Sequence, residues 1–259
     1  MDLLQKYPEL RFFFSDLSKS KQPILLLDYD GTLAPFRTIR EEAFPYPGVK
    51  ERLQRILTKK VTKIVILSGR KVEELIPLLS LSPLPELWGC HGWEQISEGK
   101  HIEYSLYPNM KDGLQKAYHQ SASYANLIEQ KGFSIALHWR GLDPHLIPKL
   151  NEEVQKIWVE IAKHHNLEIL PFNGGIELRP IGRNKGKVAL EILQKYPNRC
   201  PIAYLGDDTT DEDAFIALGK KGLKVLVNTE SKHTNADIRL IPPEELLAFL
   251  DLWLAAEDK

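Results

Sequence analysis

The sequence predicts a doubly wound α/β fold: a parallel sheet with helices on both faces, interrupted by a smaller α+β module. Three observations predict it. Short apolar runs at 24–27, 64–67 and 202–205 have strand length, and each leads directly into a polar cluster. Apolar residues at helical spacing follow each run, which is the signature of repeated βα units. The middle of the chain loses that alternation and carries mixed strand patterns beside one long amphipathic stretch.

In chain order, residues 1–21 hold Phe12, Phe13 and Phe14 among charged residues with no small-residue cleavage site, so they read as a short helix or arm packed on the core. After the strand at 24–27, Pro47 and Gly48 announce a helix whose inward stripe is Val49, Leu53, Ile56 and Leu57. A second strand, 64–67, runs into Ser68-Gly69-Arg70 and then a helix through Val72, Leu75 and Ile76. Residues 92–106 read as a hairpin turning at Glu98-Gly99-Lys100. The inserted module has a helix through Leu150, Val154, Ile157, Trp158 and Ile161, and strands at 133–140, 167–172 and 176–180. Its turns fall at Gly141-Leu142-Asp143-Pro144 and Asn173-Gly174-Gly175. Beyond 185 the alternation resumes, with helices through Val188 to Leu193 and Ala214 to Leu218 and strands at 202–205, 223–227 and 237–241. A last helix faces inward through Leu246, Leu250, Trp253 and Leu254. The expected division is a core of 1–106 plus 179–259 and an insert of 107–178.

Composition narrows the function. A chain of 259 residues has length for one large domain or a core with a module. A formal charge of -1 gives no electrostatic case for nucleic acid or an anionic membrane, and no apolar stretch approaches the roughly 20 residues of a span. Cys90 and Cys200 lack metal-ligand spacing and are too few for a disulfide framework. They read as buried free thiols, and the expected location is the cytoplasm.

The chemistry lies in two aspartate clusters, Asp28-Tyr29-Asp30-Gly31-Thr32-Leu33 and Gly206-Asp207-Asp208-Thr209-Thr210-Asp211. Carboxylates gathered beyond the carboxyl ends of strands repel one another unless a cation joins them, and an all-oxygen set suits Mg²⁺. Asp28 at a strand tip suits nucleophilic attack on phosphorus, and a second carboxylate nearby suits proton transfer. Gly31 permits a tight turn that turns N–H groups toward a phosphate. The plainer reading is an Asx turn in which the aspartates bond their own backbone. Ser68 either donates to a phosphate oxygen or caps the next helix. Lys185, at a helix start, offers a point charge to a phosphoryl group. Asp207 is the next metal ligand. Asp211, one helical turn later, either holds Lys185 or a metal-bound water, and Asp208 lies beside it at the metal site; the plainer reading of both is carboxylates favouring a helix N-terminus through its dipole.

In this order the pieces resemble the haloacid dehalogenase superfamily of phosphatases: Asp28 and Asp30, then Ser68, then Lys185, then Asp207 with Asp211. The resemblance implies that Asp28 is the nucleophile and Asp30 the acid/base, with Ser68 and Lys185 completing the catalytic set. It implies Mg²⁺ on Asp28, the Asp30 main-chain carbonyl and Asp207, with phosphate contacts from Gly31, Thr32, Gly69 and Arg70. The insert matches the larger, C2-type cap of that superfamily, on a Rossmann-like core. Longer stretches are similar to trehalose-6-phosphate phosphatases: Leu27 to Pro35, Cys90-His91-Gly92, Ile128 to Gly132, Ala136 to Arg140, Ile176 to Pro180 and Gly206 to Phe215. That resemblance implies that Glu129, Lys131, His138, Arg140 and Glu177 bind the disaccharide and that His91 lines the site.

Plainer roles stay open beside these. His138 and Arg140 share a strand face that is either functional or solvated, Glu177 and Arg179 share a face on which they either pair or act separately, and His91 in a Gly-flanked turn is as often structural. The family commonly carries Gly-Lys where Asn173-Gly174-Gly175 stands here, which removes a cation near the sugar. The expected partner is therefore a small sugar phosphate, with any trehalose-phosphate synthase a separate chain. The alternatives are another glycosyl phosphate (glucosyl- or mannosyl-3-phosphoglycerate, sucrose phosphate) and a non-catalytic sugar-phosphate sensor.

Overall fold

A computed structural model describes residues 2–172, 174–196 and 200–258; Asn173 of the expected 173–175 turn lies outside them. The chain packs into two compact units, one of residues 1–102 with 185–259 and one of 103–184. In chain order the first unit opens with α1 (Leu3–Lys6), α2 (Leu10–Leu17), β1 (Ile24–Asp28), α3 (Val49–Lys59), β2 (Lys63–Leu67), α4 (Val72–Leu79), β3 (Glu86–Gly89), β4 (Glu94–Ser97) and β5 (Lys100–Glu103). The second unit contains α5 (Pro108–Gln120), β6 (Ile128–Gln130), β7 (Ile135–His138), α6 (Ile147–His165), β8 (Leu167–Phe172) and β9 (Gly175–Pro180). The first unit then resumes with α7 (Lys185–Lys195), β10 (Ile202–Gly206), α8 (Thr209–Leu218), β11 (Leu223–Val227), β12 (Ile238–Leu240) and α9 (Glu244–Glu257).

The large sheet runs β12-β11-β10-β1-β2-β3-β4-β5, parallel from β12 to β3 and turning antiparallel at β4. Helices on both faces bury β1 and β10 at every position, which is why those strands read as unbroken apolar runs. The expected stripes are inward: Val49, Leu53, Ile56 and Leu57 on α3, and Leu246, Leu250, Trp253 and Leu254 on α9. The N-terminal arm docks through Phe14, edge-on to Trp253 at 6.5 Å and 5.4 Å from Phe249 between ring centres. Each such ring removes well over 100 Å² of apolar surface from water, the main stabilising term here.

Three elements escaped the sequence reading. The strand β3 holds a glutamate, Glu86, whose carboxylate is buried and accepts from Trp88 Nε1 at 2.9 Å and Gln95 Nε2 at 3.0 Å and pairs with Lys63 at 2.8 Å. Trp88 lies two residues on along β3 and the other two partners come from the neighbouring strands β4 and β2, so the pattern looked polar where the position is core. On α5 the apolar stripe is thin, and Gly113 sits mid-helix because an added Cβ would lie 2.4 Å from His165 of α6. The short β6 is visible only through its pairing with β7. Cys90 is buried as expected, but Cys200 is half-buried, since it precedes β10 rather than lying in it. The 178 boundary falls inside β9, which pairs with β7 and β8 through Leu178 and on to Pro180, so the second unit extends past it.

Candidate active site

The chain leaves β1 toward β2 and β3 on one side, and later returns to β10, β11 and β12 on the other. Strand order therefore reverses beside β1, and a crevice at the carboxyl ends of such strands is where ligands bind. Three of the expected site residues arrive there on adjacent strands: Asp28 ends β1, Ser68 follows β2 and Asp207 follows β10. Asp28, Asp207 and Asp211 each bring a carboxylate oxygen within 4.8 Å of the others, and all three are buried.

Local sequence explains the closeness. Gly31 takes φ +88°, and a Cβ on it would lie 2.2 Å from Asp207 Oδ2, so only glycine lets this turn meet the second cluster. Thr32 Oγ1 donates to Asp28 Oδ2 at 3.0 Å. Lys185, the first residue of α7, reaches Asp28 Oδ1 at 2.6 Å and Asp211 Oδ1 at 2.7 Å. Asp211 also accepts from Tyr204 Oη at 2.6 Å and from the N–H groups of Asp207 and Asp208 at 3.1 and 3.0 Å. Four donors occupy its two oxygens, so Asp211 anchors Lys185 and the turn rather than facing a metal. Asp208 caps α8 by accepting from Thr209 N–H at 2.7 Å. Tyr204 was missed in the sequence because a tyrosine inside an apolar run reads as core.

Asp30 stands apart from that cluster. Arg70 grips its carboxylate with two bonds of 2.6 Å, from Nε and Nη2, and places Nη1 on the Arg40 carbonyl at 3.0 Å. Arg70, expected to touch phosphate, thus holds the second aspartate. Ser68 does not cap α4, whose first N–H, on Val72, is taken by Glu94 Oε2 at 2.9 Å. Its Oγ accepts from Arg70 N–H at 3.1 Å, which leaves its own proton to donate. His91 is buried in a left-handed turn that donates its N–H to the Ser68 carbonyl at 2.9 Å. Its ring lies against Gly69, where a Cβ would be 2.7 Å from Nε2.

Burial dominates the electrostatics. Burial pushes the Asp28 carboxyl up to about 7; Asp211 and Asp30 add repulsion, and Lys185 only partly opposes it. Asp207 is pushed well above the carboxylate range by burial and by Asp28, Asp211 and Asp208. Burial alone would lower Lys185, but Asp211 and Asp28 raise it, so it stays charged. Ionised together, three buried carboxylates against one buried lysine would leave negative charge uncompensated, and an all-oxygen set with that excess fits a hard divalent cation.

The five residues expected to read the sugar lie in the second unit. Buried Glu177 accepts from Lys131 Nζ at 3.1 Å and Ser134 Oγ at 2.6 Å on the same Oε1. His138 Nε2 meets Glu129 Oε2 at 2.8 Å, and its ring is edge-on to Phe172 at 5.3 Å. Arg179 pairs with Glu168 at 2.9 Å. The Arg140 guanidinium packs over Gly174, with Nε 2.9 Å from where a Cβ would be. Ser134 carried no sequence signal, since its partner is 43 residues away.

The trehalose-phosphatase family profile matches residues 26–243. The chain belongs to the trehalose-phosphatase family. Within it, the chain is 29% identical over 248 residues to a trehalose-phosphate phosphatase of Mycobacterium tuberculosis, covering 90% of this chain and 61% of that protein. It is 29% identical over 275 residues to a probable trehalose-phosphate phosphatase, H, of Arabidopsis thaliana, covering 95% and 77%. The chain thus spans 61% of the length of the mycobacterial relatives. The C-terminal domain of a Candida albicans trehalose-6-phosphate phosphatase superposes with a TM-score of 0.82 at 24% identity, over 95% of this chain and 96% of that one. The fold is also that of the C-terminal domain of a Candida albicans trehalose synthase regulatory protein, with a TM-score of 0.70 at 14% identity, over 92% and 96%. The doubly wound core with an inserted α+β module is therefore the family fold.

The raised Asp28 carboxyl gives a stability test for the metal-free protein. Unfolded, the group loses its proton near pH 4; folded, it keeps it to about 7, so folded stability from this group falls as pH rises through that window. In excess chelator, the stability difference between Asp28→Asn and the unchanged protein should widen in favour of the variant from about pH 4 to pH 7. Parallel denaturation midpoints across that range would show that Asp28 ionises normally.

Proposed function

We propose that the chain is a Mg²⁺-dependent phosphatase that hydrolyses trehalose 6-phosphate to trehalose and phosphate through an aspartyl-phosphate on Asp28. The observation that carries this reading is a buried Asp28 carboxylate at a strand tip, 2.6 Å from Lys185 and beside Asp207, in a chain of the trehalose-phosphatase family. An Asp28 oxygen attacks phosphorus, and the sugar oxygen departs with the proton of Asp30. Asp30 then takes a proton from water as that water attacks phosphorus, and the bond to Asp28 breaks, releasing phosphate. Lys185 and the Ser68 hydroxyl hold negative oxygens of the group in transfer, aided by the Gly69 N–H, while the N–H groups of Gly31, Thr32 and Arg70, expected on phosphate, bond the Ala34 carbonyl, the Tyr29 carbonyl and Ser68 Oγ instead. Mg²⁺ held by Asp28, Asp207 and the Asp30 carbonyl would supply charge neutralisation there.

Arg70 orients Asp30 in this scheme. Sugar recognition is assigned to Glu129, Lys131, His138, Arg140 and Glu177 in the second unit, which acts as the cap, with His91 supporting the Ser68 turn. The same reading expects the reaction in the cytoplasm, with substrate supplied by a trehalose-phosphate synthase activity. Among the described residues no helix is long and apolar enough to cross a membrane. The stretch Asn173-Gly174-Gly175, standing where the family commonly carries Gly-Lys, favours a second reading, another glycosyl phosphate such as glucosyl-3-phosphoglycerate. Arg140 packed over Gly174 returns a cation to that place and supports trehalose 6-phosphate. A regulatory protein shares the fold, so the fold alone does not exclude a sensor; the complete set Asp28, Asp30, Ser68, Lys185 and Asp207 favours the enzyme.

Phosphate release across a panel of disaccharide and glycosyl phosphates tests the substrate, and trehalose 6-phosphate should have the highest kcat/KM. Asp28→Asn should abolish release from every ester and chelation should silence the unchanged protein, with Mg²⁺ restoring it. Turnover surviving either treatment would remove the mechanism.

Arg70→Met should slow the sugar phosphate about 10- to 100-fold by loosening two charge-assisted bonds to the acid/base, yet barely affect an aryl phosphate whose leaving group needs no proton. Equal losses would place Arg70 on the phosphoryl group instead.

Glu177→Ala should lower kcat/KM for trehalose 6-phosphate about 10- to 150-fold, as losing a charged hydrogen bond does, and leave the aryl phosphate nearly unchanged. Parallel losses would make Glu177 a support of its sheet.

A further inference from the structure

The loop 228–236, between β11 and β12, belongs to none of the motifs that mark the site, yet it is bonded to the segment that carries Asp207. Asn228 Nδ2 donates to the Asp207 carbonyl at 3.3 Å, and Lys232 Nζ donates to the same oxygen. From α8, Glu212 reaches back to the loop: Oε1 accepts from Thr234 Oγ1 at 2.5 Å, and Oε2 from Asn235 N–H at 2.8 Å and Nδ2 at 2.9 Å. The loop is fixed at its own ends. Asn228 N–H bonds the Leu240 carbonyl at 3.0 Å, and Asn228 Oδ1 accepts from Glu230 N–H at 2.8 Å. Arg239 Nη1 donates to the Thr229 carbonyl at 3.2 Å, and Ala236 N–H to Thr234 Oγ1 at 3.1 Å.

The Asp207 peptide is consequently held on both sides. Its N–H donates to Asp211 Oδ2 at 3.1 Å, while its carbonyl is held by the loop. Its carboxylate lies in the notch over Gly31. A side chain that must meet a cation at a fixed distance needs a backbone held within about half an ångström. Groups that orient a ligand without touching the metal commonly change metal affinity about 10- to 100-fold when removed.

We propose that loop 228–236 is a positioning element for Asp207, with Asn228 and Lys232 fixing the Asp207 carbonyl and Glu212 fastening the loop to α8. This rests on the reading of Asp207 as a Mg²⁺ ligand. It gives Glu212 a part in the acidic motif distinct from its neighbours: it holds the loop, while Asp208 caps the helix and Asp211 holds Lys185.

At Lys232 charge and position act with opposite signs, which makes the proposal separable from simple electrostatics; at Glu212 they act with the same sign, so that variant reports the loop's fastening only beside the other two. Removing the Lys232 ammonium takes positive charge from the neighbourhood of a cation site and by itself tightens Mg²⁺. Loss of positioning weakens Mg²⁺. Asn228 is neutral, so its removal reports position alone.

The test is Mg²⁺ titration by calorimetry, with Mg²⁺ alone as ligand, on the full chain and on Asn228→Ala, Lys232→Met and Glu212→Gln. Melting is measured in chelator alongside. Expected is a rise in the Mg²⁺ Kd of about 10-fold for each variant, with kcat at saturating Mg²⁺ changed less than about 3-fold. Lys232→Arg should restore the affinity, and His233→Ala, on the same loop, should leave it unaltered. Unchanged Kd with a lower chelator melting point would make the loop a structural brace and overturn the proposal, as would tighter Mg²⁺ in Lys232→Met. Absence of Mg²⁺ binding to the unchanged protein would instead remove the metal reading, and this proposal with it.

Discussion

Packing three carboxylates and one ammonium into one dry corner is the constraint on which the rest of the site depends. Asp28, Asp207 and Asp211 are all buried within reach of one another, and Lys185 bridges Asp28 and Asp211. Buried carboxylates at such spacing repel strongly and favour protonation unless cations and donors meet them. The surrounding residues answer that demand. Tyr204 and two main-chain N–H groups satisfy Asp211, Thr32 satisfies Asp28, and glycine at 31 lets the two clusters touch. What remains around Asp28 and Asp207 is a demand for positive charge, which the proposed Mg²⁺ would meet on ionisation of the two carboxyls.

The sheet makes the arrangement rigid. Because β1 lies between β10 and β2, the ends of three strands project their next residues into one crevice. Each strand is tied by a full parallel ladder and sealed by helices on both faces, so moving Asp28 would mean moving the core. The turns beyond the strands are stitched to one another as well. Arg70 N–H bonds Ser68 Oγ, Cys90 N–H bonds the Arg70 carbonyl, and His91 N–H bonds the Ser68 carbonyl. The Cys90-His91-Gly92 stretch therefore braces the Ser68 turn. In the second unit the same economy holds on a smaller scale, with Glu177 buried in its sheet and met by Lys131 and Ser134.

How legible was this in the sequence? Asp28, Asp207 and Lys185 stood out because each follows or precedes an apolar segment with its polar neighbours in a recognisable order, and the structure brings them together. Arg70 was legible as a site residue but not in its part, because its partner Asp30 is 40 positions away and only the fold aligns the two. Tyr204 and Glu86 were hidden by their strands, one looking apolar and the other polar. The helix α5 was hidden by Gly113, which is present for close contact with His165 rather than for a turn.

The sequence by itself determined the periodicities, and hence the doubly wound core, the inserted module and the two acidic clusters at strand ends. Those are local properties: an apolar run makes a buried strand wherever it pairs, and a short motif has its chemistry written in consecutive residues. Only the tertiary structure decided which donor meets which acceptor: Lys185 between Asp28 and Asp211, Arg70 on Asp30, the 228–236 loop on Asp207. Such pairings join residues tens to hundreds of positions apart, and their energies depend on distance and burial, neither of which a linear pattern carries.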